Sequence, residues 1–571
     1  MSFSNSKSGE PEKRPPLALE SILSQVDPLG IGRASAEAFS SLVAKPQTMF
    51  AAGTRFMTGM LGAASAATSK VLGEDVEGPE TPGRKDRRFA DPVWKENPAY
   101  FSLLQGYLLW SKLVTELVEE ADIDEVSHEK VRFGTEVLVD ALAPTNFLAT
   151  NPAAQKKALD TGGLSLFRGA RTFIDDVATN RGLPRHVRKD AFTVGKDLAV
   201  SPGKVVFRNA LMELIQYAPT TEKVHEVPIL ISPPWINKYY IVDMSPGRSF
   251  VEWAVNHGHT VFCISYHNPT SADRDVSFDD YLERGPLAAL DVIQDITGSD
   301  QVNLVGICLG GTLTAMMQSY LAEKGDDRVR SATFLNTLTD FSKPGRLAAF
   351  TDERSLEYME DAMSGPGYLE STQMMNTFTF MRSNDLVWNY VVNNWLMGED
   401  PPPFDILSWN GDGTRMPECM HSYYVRSCYR ENAFANGTMK LGGVTLDPGK
   451  VTDEIYVLAA QEDHITVWKG SYLTTQVMKN AKPRFVLTSS GHIAGIINPP
   501  TPKAWYRTGD EALPADPDAW YASSTHHVGS WWEDWAEWIG ARAGKMVAPP
   551  GLGSEKHKPI EDAPGTYVLE K

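Results

Sequence analysis

The spacing of apolar residues changes near residue 200 and divides the chain into two parts. Before that point apolar residues recur at helical spacing, most clearly in residues 97–139, where Leu104 and Leu108 lie one turn apart. No alternation of strand-like and helix-like segments occurs there. The pattern therefore predicts a polar, disordered segment over residues 1–16 and an all-helical domain over residues 17–189.

After residue 200, short apolar segments alternate with helical patterns. Several of the segments are continuous apolar runs, which are typical of strands in a parallel sheet that is buried on both faces. The predicted strands are residues 227–231, 260–264, 302–305, 332–335, 455–458 and 484–487. The alternation predicts a doubly wound α/β domain over residues 190–571.

The alternation is interrupted over residues 340–451, after the fourth predicted strand. This stretch is rich in Met, Trp, Asn and Pro, and a structureless loop of that length would be unusual in a compact domain. We therefore expect it to fold as a lid on the α/β domain.

Composition narrows the class of protein. The 571 residues carry a formal net charge of −18, which disfavours a polyanionic partner such as nucleic acid. The four cysteines suit a reducing cytosol better than a disulfide framework. The N-terminus has no apolar signal segment, and the uncharged residues 56–69 fall short of the roughly 20 residues that span a bilayer. These features predict a cytoplasmic protein without a transmembrane segment, and we predict no metal site.

The most specific motif is Gly306-Ile307-Cys308-Leu309-Gly310, between a predicted strand and a predicted helix. A strand, then Gly-x-nucleophile-x-Gly, then a helix is the arrangement of the nucleophile elbow in the α/β-hydrolase fold. Cysteine in place of serine favours acyl transfer through a thioester. In isolation the motif is equally compatible with a buried structural cysteine in a Gly-rich turn.

Two downstream residues complete a candidate catalytic triad. In this fold the order along the chain is nucleophile, acid, histidine. Asp463 follows the fifth predicted strand and His492 follows the sixth. We expect His492 to take the proton of Cys308 and Asp463 to hold the imidazole. Glu462 is a rival acid.

The same motif suggests where an oxyanion would be stabilised. The backbone N–H of Leu309 is one expected donor, and a second is expected within residues 233–236, where we assign Ile236. The remaining cysteines, Cys263, Cys419 and Cys428, are expected to serve packing.

Eight motifs together resemble one family, the class I polyhydroxyalkanoate synthases, which are single-subunit poly(3-hydroxybutyrate) polymerases. The similarity extends from about residue 86 to the Trp-rich C-terminal region, and residues 1–75 match weakly. The motifs are residues 87–92, 150–153, 160–163, 233–240, 306–311, 382–388, 462–465 and 491–499.

The resemblance implies a function and further site residues. It implies polymerisation of (R)-3-hydroxyacyl-CoA, with 3-hydroxybutyryl-CoA preferred, release of CoA and no separate cofactor. It also implies a polyester granule in the cytoplasm and a homodimer formed through the lid. Separately, the low charge and small residues of the N-terminal segment suggest an association surface, for which granule-associated proteins are candidate partners of the N-terminal domain. Cys308, Asp463 and His492 match the family's catalytic residues. Arg382 and His464 are similar to positions of a CoA channel, and Ala494 to a position that lines the acyl pocket, although His464 is equally compatible with a solvating loop role.

Other functions are compatible with parts of the pattern. A polyester depolymerase or an acyl-CoA thioesterase of the same fold would use the same triad. A non-catalytic granule-coating protein would account for the small-residue-rich residues 34–72, but not for the triad. The long helical region and the large insertion favour the synthase.

Overall fold

A computed structural model describes residue 27 and residues 29–84, 86–188, 190–509 and 513–571. The expected disorder of residues 1–16 lies outside the described residues.

The regular elements described before residue 200 are helices. Several begin at side chains that accept free N–H groups of the first turn: Asn97 accepts from Ala99 and Tyr100, and Asp124 accepts from Val126 and Ser127. Their bounds are α1 Ile31–Val43, α2 Pro46–Val71, α3 Val93–Glu96, α4 Pro98–Glu119, α5 Glu125–Ala141, α6 Pro152–Asp160 and α7 Leu164–Thr179.

An eleven-stranded mixed sheet forms the centre of the rest of the chain. Its strands, in spatial order, are β15 Thr525–Val528, β14 Trp505–Thr508, β13 Lys482–Thr488, β12 Glu454–Ala460, β7 Val329–Leu335, β6 Val302–Ile307, β4 Ile229–Ser232, β5 Val261–Tyr266, β2 Met212–Tyr217, β1 Gly203–Arg208 and β17 Glu561–Asp562. Short pairs of two-residue strands lie outside it: β3 Val224–His225 with β16 Met546–Val547, β8 Tyr368–Leu369 with β9 Met416–Pro417, and β10 Lys440–Leu441 with β11 Val444–Thr445.

The six predicted strands are the parallel centre of this sheet, from β13 across to β5. The prediction is incomplete at both edges, where β2, β1 and β17 on one side and β14 and β15 on the other run antiparallel. Strand β2 was not predicted because Glu213 and Gln216 interrupt its run of apolar residues. Both are buried, and their polar groups are satisfied by other parts of the chain, Glu213 by Arg208 and Gln216 by residues 551–553.

Helices accompany the sheet. Their bounds are α8 Phe250–Asn256, α9 Phe278–Leu282, α10 Ala288–Thr297, α11 Leu309–Lys324, α12 Glu353–Ser364, α13 Ser371–Phe380, α14 Asp405–Asn410, α15 Glu418–Tyr424, α16 Trp468–Tyr472, α17 Thr474–Val477, α18 His492–Ile496, α19 Pro517–Ser523 and α20 Trp531–Gly540. The largest cluster of buried apolar residues lies in the sheet and these helices, whereas smaller clusters around Trp94 and Val131 lie among α1–α5.

The insertion between β7 and β12 is folded, and contains α12 to α15 together with short helical turns at 345–350, 384–388, 391–396 and 425–430. It contacts the N-terminal helices. The Trp395 indole N–H donates to Asp176 over 2.9 Å, and the Ser383 hydroxyl donates to Asp140 over 2.6 Å.

Candidate active site

Cys308 lies at a sharp turn between β6 and α11. Its φ of 50° and ψ of −118° are an unusual conformation for a residue with a side chain, which the surrounding structure enforces. Gly306 and Gly310 allow the turn to close. A Cβ at Gly310 would lie 2.1 Å from the carbonyl oxygen of Ser232, and one at Gly306 would lie 2.5 Å from the Cα of Gly311. The backbone therefore has the geometry of a nucleophile elbow.

Asp463 lies in the loop that follows β12, and each of its carboxylate oxygens accepts two hydrogen bonds. Oδ1 accepts from the N–H groups of Ile465 at 2.8 Å and Thr466 at 2.9 Å. Oδ2 accepts from the Thr466 hydroxyl and from His492 Nδ1, both at 2.6 Å. A carboxylate has about four acceptor positions. All of them are thus used within the protein.

His492 is the first residue of α18, in the loop region after β13. The Asn336 side chain donates to its carbonyl oxygen. The indole N–H groups of Trp531 and Trp532 donate to the carbonyl oxygens of Gly495 and Ile496, at 2.8 and 2.9 Å. The buried Trp-rich helix α20 therefore fixes the position of the histidine.

The site is buried, and the ionisation of His492 and the ionisation of Asp463 depend on each other. Burial opposes ionisation of both His492 and Asp463, but their mutual attraction and hydrogen bond prevail, so the pKa of Asp463 is lowered and that of His492 is raised. The charge of Cys308 and a hydrogen bond with it also raise the pKa of His492. Because Nδ1 faces Asp463, Nε2 is the ring nitrogen left for Cys308. The three predicted triad residues are thus brought together.

An apolar cavity of about 380 Å³ opens beside Cys308. The core contributes Cys308 and Leu309, and the lid contributes most of the other lining residues, among them Phe341, Met359 and Tyr424. Such a lining suits an aliphatic acyl group and limits access of water.

Both expected oxyanion donors belong to this cavity. Leu309 and Ile236 line it together with Cys308. The N–H of Leu309 is in the first turn of α11 and so has no partner within that helix. The loop containing Ile236 is held by the lid, because the Thr414 N–H donates to the Ile236 carbonyl over 2.9 Å. That these two N–H groups bind an oxyanion stays a prediction.

Arg382 and His464 lie beside the triad but outside the apolar cavity. Arg382 pairs with Asp385, and its guanidinium is 3.7 Å from the position of a Cβ on Gly491. The pKa of His464 is lowered to about 3, chiefly by burial and also by the charge of nearby Arg382, against the opposing charge of Asp463. A role for both residues in binding CoA remains a prediction.

The structure does not bring Ala494 into the cavity beside Cys308, and a role for it in the acyl pocket stays a prediction. Ala494 is exposed and does not line the cavity. It is two residues beyond His492 in a helix, which places it about 200° around the axis, since each residue turns by about 100°. A side chain there points away from the face that presents His492.

Sequence reasoning missed residues that hold the triad. Thr466 donates to Asp463 and also lies 3.2 Å from His492 Nδ1, and Asn336 fixes the histidine backbone. The position of Thr466, three residues after the acid, is a pattern that could have pointed to it. Nothing in the sequence around Asn336 indicates its contact with residue 492.

Two other properties concern the described part of the chain. It contains no group of three or more His, Cys, Asp or Glu side chains that could hold a metal ion. None of its helices combines the length and the apolar character needed to cross a membrane.

Comparisons with known proteins agree with this geometry. Residues 85–254 match the family described as the N-terminus of poly-beta-hydroxybutyrate polymerase, and residues 248–499 match the α/β-hydrolase fold. A poly(3-hydroxyalkanoate) polymerase of Methylorubrum extorquens is 43% identical over 516 residues, covering 89% of this chain and 84% of the relative. The polymerase subunit of Cupriavidus necator is 41% identical, covering 85% and 83%. A solved lactone-degrading enzyme, Est816, is 15% identical and covers 52% of this chain and 96% of its own, but its TM-score of 0.27 supports no argument.

The fold and the site together define an enzyme of the α/β-hydrolase fold with a cysteine at its nucleophile elbow and a lid inserted after β7. The chain belongs to the poly(3-hydroxyalkanoate) polymerase family. The fold expected from the sequence and the family resemblance are both confirmed.

Proposed function

We propose that this protein polymerises (R)-3-hydroxyacyl-CoA, with 3-hydroxybutyryl-CoA preferred, into a polyester through an acyl group bound to Cys308. The observation that supports this most is a cysteine at the elbow, next to a buried His492–Asp463 pair and an apolar, lidded cavity. The names of the relatives indicate the same product.

The first step loads the enzyme. His492 accepts the proton of Cys308, and the thiolate attacks the thioester carbonyl of the substrate. The C–S bond to CoA breaks, and the CoA sulfur takes the proton from His492. One thioester replaces another, so the step is nearly balanced in free energy and needs no cofactor beyond the CoA of the substrate.

The second step elongates the chain. A hydroxyl group gives its proton to His492 and attacks the Cys308 thioester, which forms an ester and releases the thiolate. Water would compete for the same thioester. The apolar cavity supports the proposal because it favours the hydroxyl of a bound acyl chain over water.

Acyl transfer by Cys308 can be tested with purified protein and (R)-3-hydroxybutyryl-CoA. We expect CoA release to match polymer formed, and mass spectrometry to find the acyl group on Cys308. Cys308→Ala should abolish both, whereas Cys419→Ala, which changes an exposed cysteine, should abolish neither. Free 3-hydroxybutyrate in proportion to CoA would instead assign a hydrolase. An adduct on another cysteine would contradict the role of Cys308.

We further propose that the protein acts at the surface of its polyester granule and forms a homodimer through the lid. Helices α1 and α2 support the first point, because they expose large apolar side chains, among them Phe39, Phe50 and Leu61. Sedimentation with isolated polyester granules tests attachment, and light scattering of wild type and of lid-surface variants tests the dimer.

A further inference from the structure

Lys238 lies in the loop that follows β4, two residues after the expected oxyanion donor Ile236, and its side chain is buried. The residue is 2% exposed, and its Nζ donates to the carbonyl oxygen of Tyr567 over 2.9 Å. Its pKa is lowered to about 8, chiefly by burial, against the opposing charges of Asp412 and Glu570. A buried ammonium group is unfavourable unless it is bonded, so its presence in an active-site loop requires an explanation.

The segment that carries the acceptor of Lys238 is itself held against the core. The N–H groups of Thr566 and Tyr567 both donate to Glu213 of β2, over 3.1 Å. The Tyr567 hydroxyl donates to the carbonyl oxygen of Asn209 over 2.8 Å. The Tyr567 carbonyl is therefore a fixed acceptor, and the ammonium group of Lys238 tethers the loop after β4 to it.

The lid holds the same loop through separate hydrogen bonds. The Trp409 indole N–H donates to the carbonyl oxygen of Lys238 over 2.7 Å. The Thr414 hydroxyl donates to the carbonyl oxygen of Trp235, and the Thr414 N–H donates to that of Ile236 over 2.9 Å. The N–H of Ile236, in contrast, donates to no backbone group of the described residues outside regular helices and strands. The loop is thus bound through its carbonyl groups, and this N–H is left for a ligand.

The beginning of the loop touches the nucleophile elbow. A Cβ at Gly310 would lie 2.6 Å from the carbonyl oxygen of Pro233, so only glycine allows this approach. Ile236, three residues further on, lines the cavity together with Cys308. The loop therefore contacts the elbow at one end and is tethered by Lys238 at the other, and the direction of the N–H between them depends on both.

We infer that Lys238 is a positioning residue for acyl transfer, because its bond to Tyr567 holds the Ile236 N–H in the direction of the oxyanion that forms during attack on the thioester. Lys238 does not line the cavity and acts through Ile236. The inference rests on the proposed function, since this oxyanion forms only when a thioester carbonyl is attacked. It gives the segment around residue 567 a part in catalysis.

The test separates oxyanion stabilisation from activation of the thiol. Single-turnover CoA release from (R)-3-hydroxybutyryl-CoA passes through an oxyanion, whereas alkylation of Cys308 by iodoacetamide displaces iodide and forms none. Lys238→Met should slow CoA release by about 10- to 100-fold, because loss of one oxyanion donor costs about 10²- to 10³-fold and this donor is displaced and not removed. Alkylation of Cys308, followed by mass spectrometry of its peptide, should proceed at the wild-type rate.

Two further variants control for a general structural effect. Lys571→Met removes an exposed ammonium group that pairs with Asp412, and leaves the bond of Lys238 in place. It should release CoA at the wild-type rate. Thr414→Val removes the hydroxyl bond to Trp235 with little change in shape, and should slow CoA release by about two- to tenfold, the range of one neutral hydrogen bond, without slowing alkylation.

Each outcome decides between the alternatives. Equal slowing of CoA release and of alkylation in Lys238→Met would overturn the inference, because the triad itself would then be disturbed. Wild-type CoA release by this variant would also overturn it. If urea titration shows Lys238→Met to be unfolded, Lys238→Arg, which keeps a cationic donor but changes the geometry of the bond, takes its place with the same two criteria. Absence of CoA release by the wild type would instead refute the proposed function.

Discussion

Replacing Asp463 by asparagine tests whether this carboxylate only orients His492 or also activates the attacking hydroxyl of the growing chain. The two possibilities differ in their effect on loading and on elongation. All four acceptor positions of Asp463 are occupied, by two N–H groups, the Thr466 hydroxyl and His492. No position is left for a substrate hydroxyl. We therefore expect His492 to be the base in both steps and Asp463 to act through it.

The size of the effect follows from the 2.6 Å bond between Asp463 and His492. A hydrogen bond to a charged group contributes about 1.5–3 kcal/mol, which corresponds to roughly 10- to 150-fold in rate. An asparagine amide can also donate to Nδ1, which would move the proton to Nε2 and leave Cys308 without a base. This tautomer change raises the expected loss towards about 10⁴-fold. We expect at least about 100-fold in each step, and a similar loss in both.

Rapid-quench measurement of CoA release in a single turnover reports loading, and polymer growth on a preformed acyl-enzyme reports elongation. Glu462→Gln is the matched control, since it changes the exposed neighbouring carboxylate, and both steps should stay within about twofold of wild type because surface changes are usually small. If Asp463→Asn loads at nearly the normal rate but elongates slowly, the carboxylate acts on the hydroxyl and the orienting role is refuted.

Two further predictions concern stability. Burial raises the pKa of Asp243 to about 6, against the hydrogen bonds from Ser201 and Ser249, so the folded state holds a proton that the unfolded state has lost. Wild-type stability should fall by about 2 kcal/mol between pH 4 and pH 6 relative to Asp243→Asn in urea titrations, and parallel curves would contradict this. Deletion of residues 1–75 should retain acyl loading, because the triad lies outside the deleted part, although its rate should change because Leu29 is lost from the cavity lining. The melting temperature should fall, because Ala34 and Ala38 belong to one buried cluster with Val118; loss of loading by a folded deletion variant would refute the prediction.

The sequence predicted the parallel centre of the sheet and the triad for the same physical reason. Strands buried on both faces must be continuously apolar, and a site at their carboxyl ends must use the residues that follow them. Cys308, Asp463 and His492 each come shortly after such a strand. The edge strands were missed because their burial depends on partners distant in the sequence, as the contact of Glu213 with Thr566 illustrates.

The residues that support the site could not be predicted from local sequence patterns, for a related reason. Asn336, Trp531 and Trp532 act through single hydrogen bonds to the backbone around His492, and such bonds have no periodicity. Ala494 illustrates the limit of proximity along the chain. It is two residues from His492, but it is exposed and lies on a different face of the helix.

The helical N-terminal region contributes no residue to the triad, but it contacts the lid segment that lines the cavity beside Cys308. Phe350 lines the cavity, and its ring also packs against the ring of Phe133 in α5, with 5.2 Å between the ring centroids. Arg346, in the same lid segment, pairs with Glu136 over 2.9 Å. Leu29 itself lines the cavity. Any movement of this lid segment away from Cys308 must therefore break these contacts or move the N-terminal helices with it, so those helices contribute to the barrier for opening the cavity.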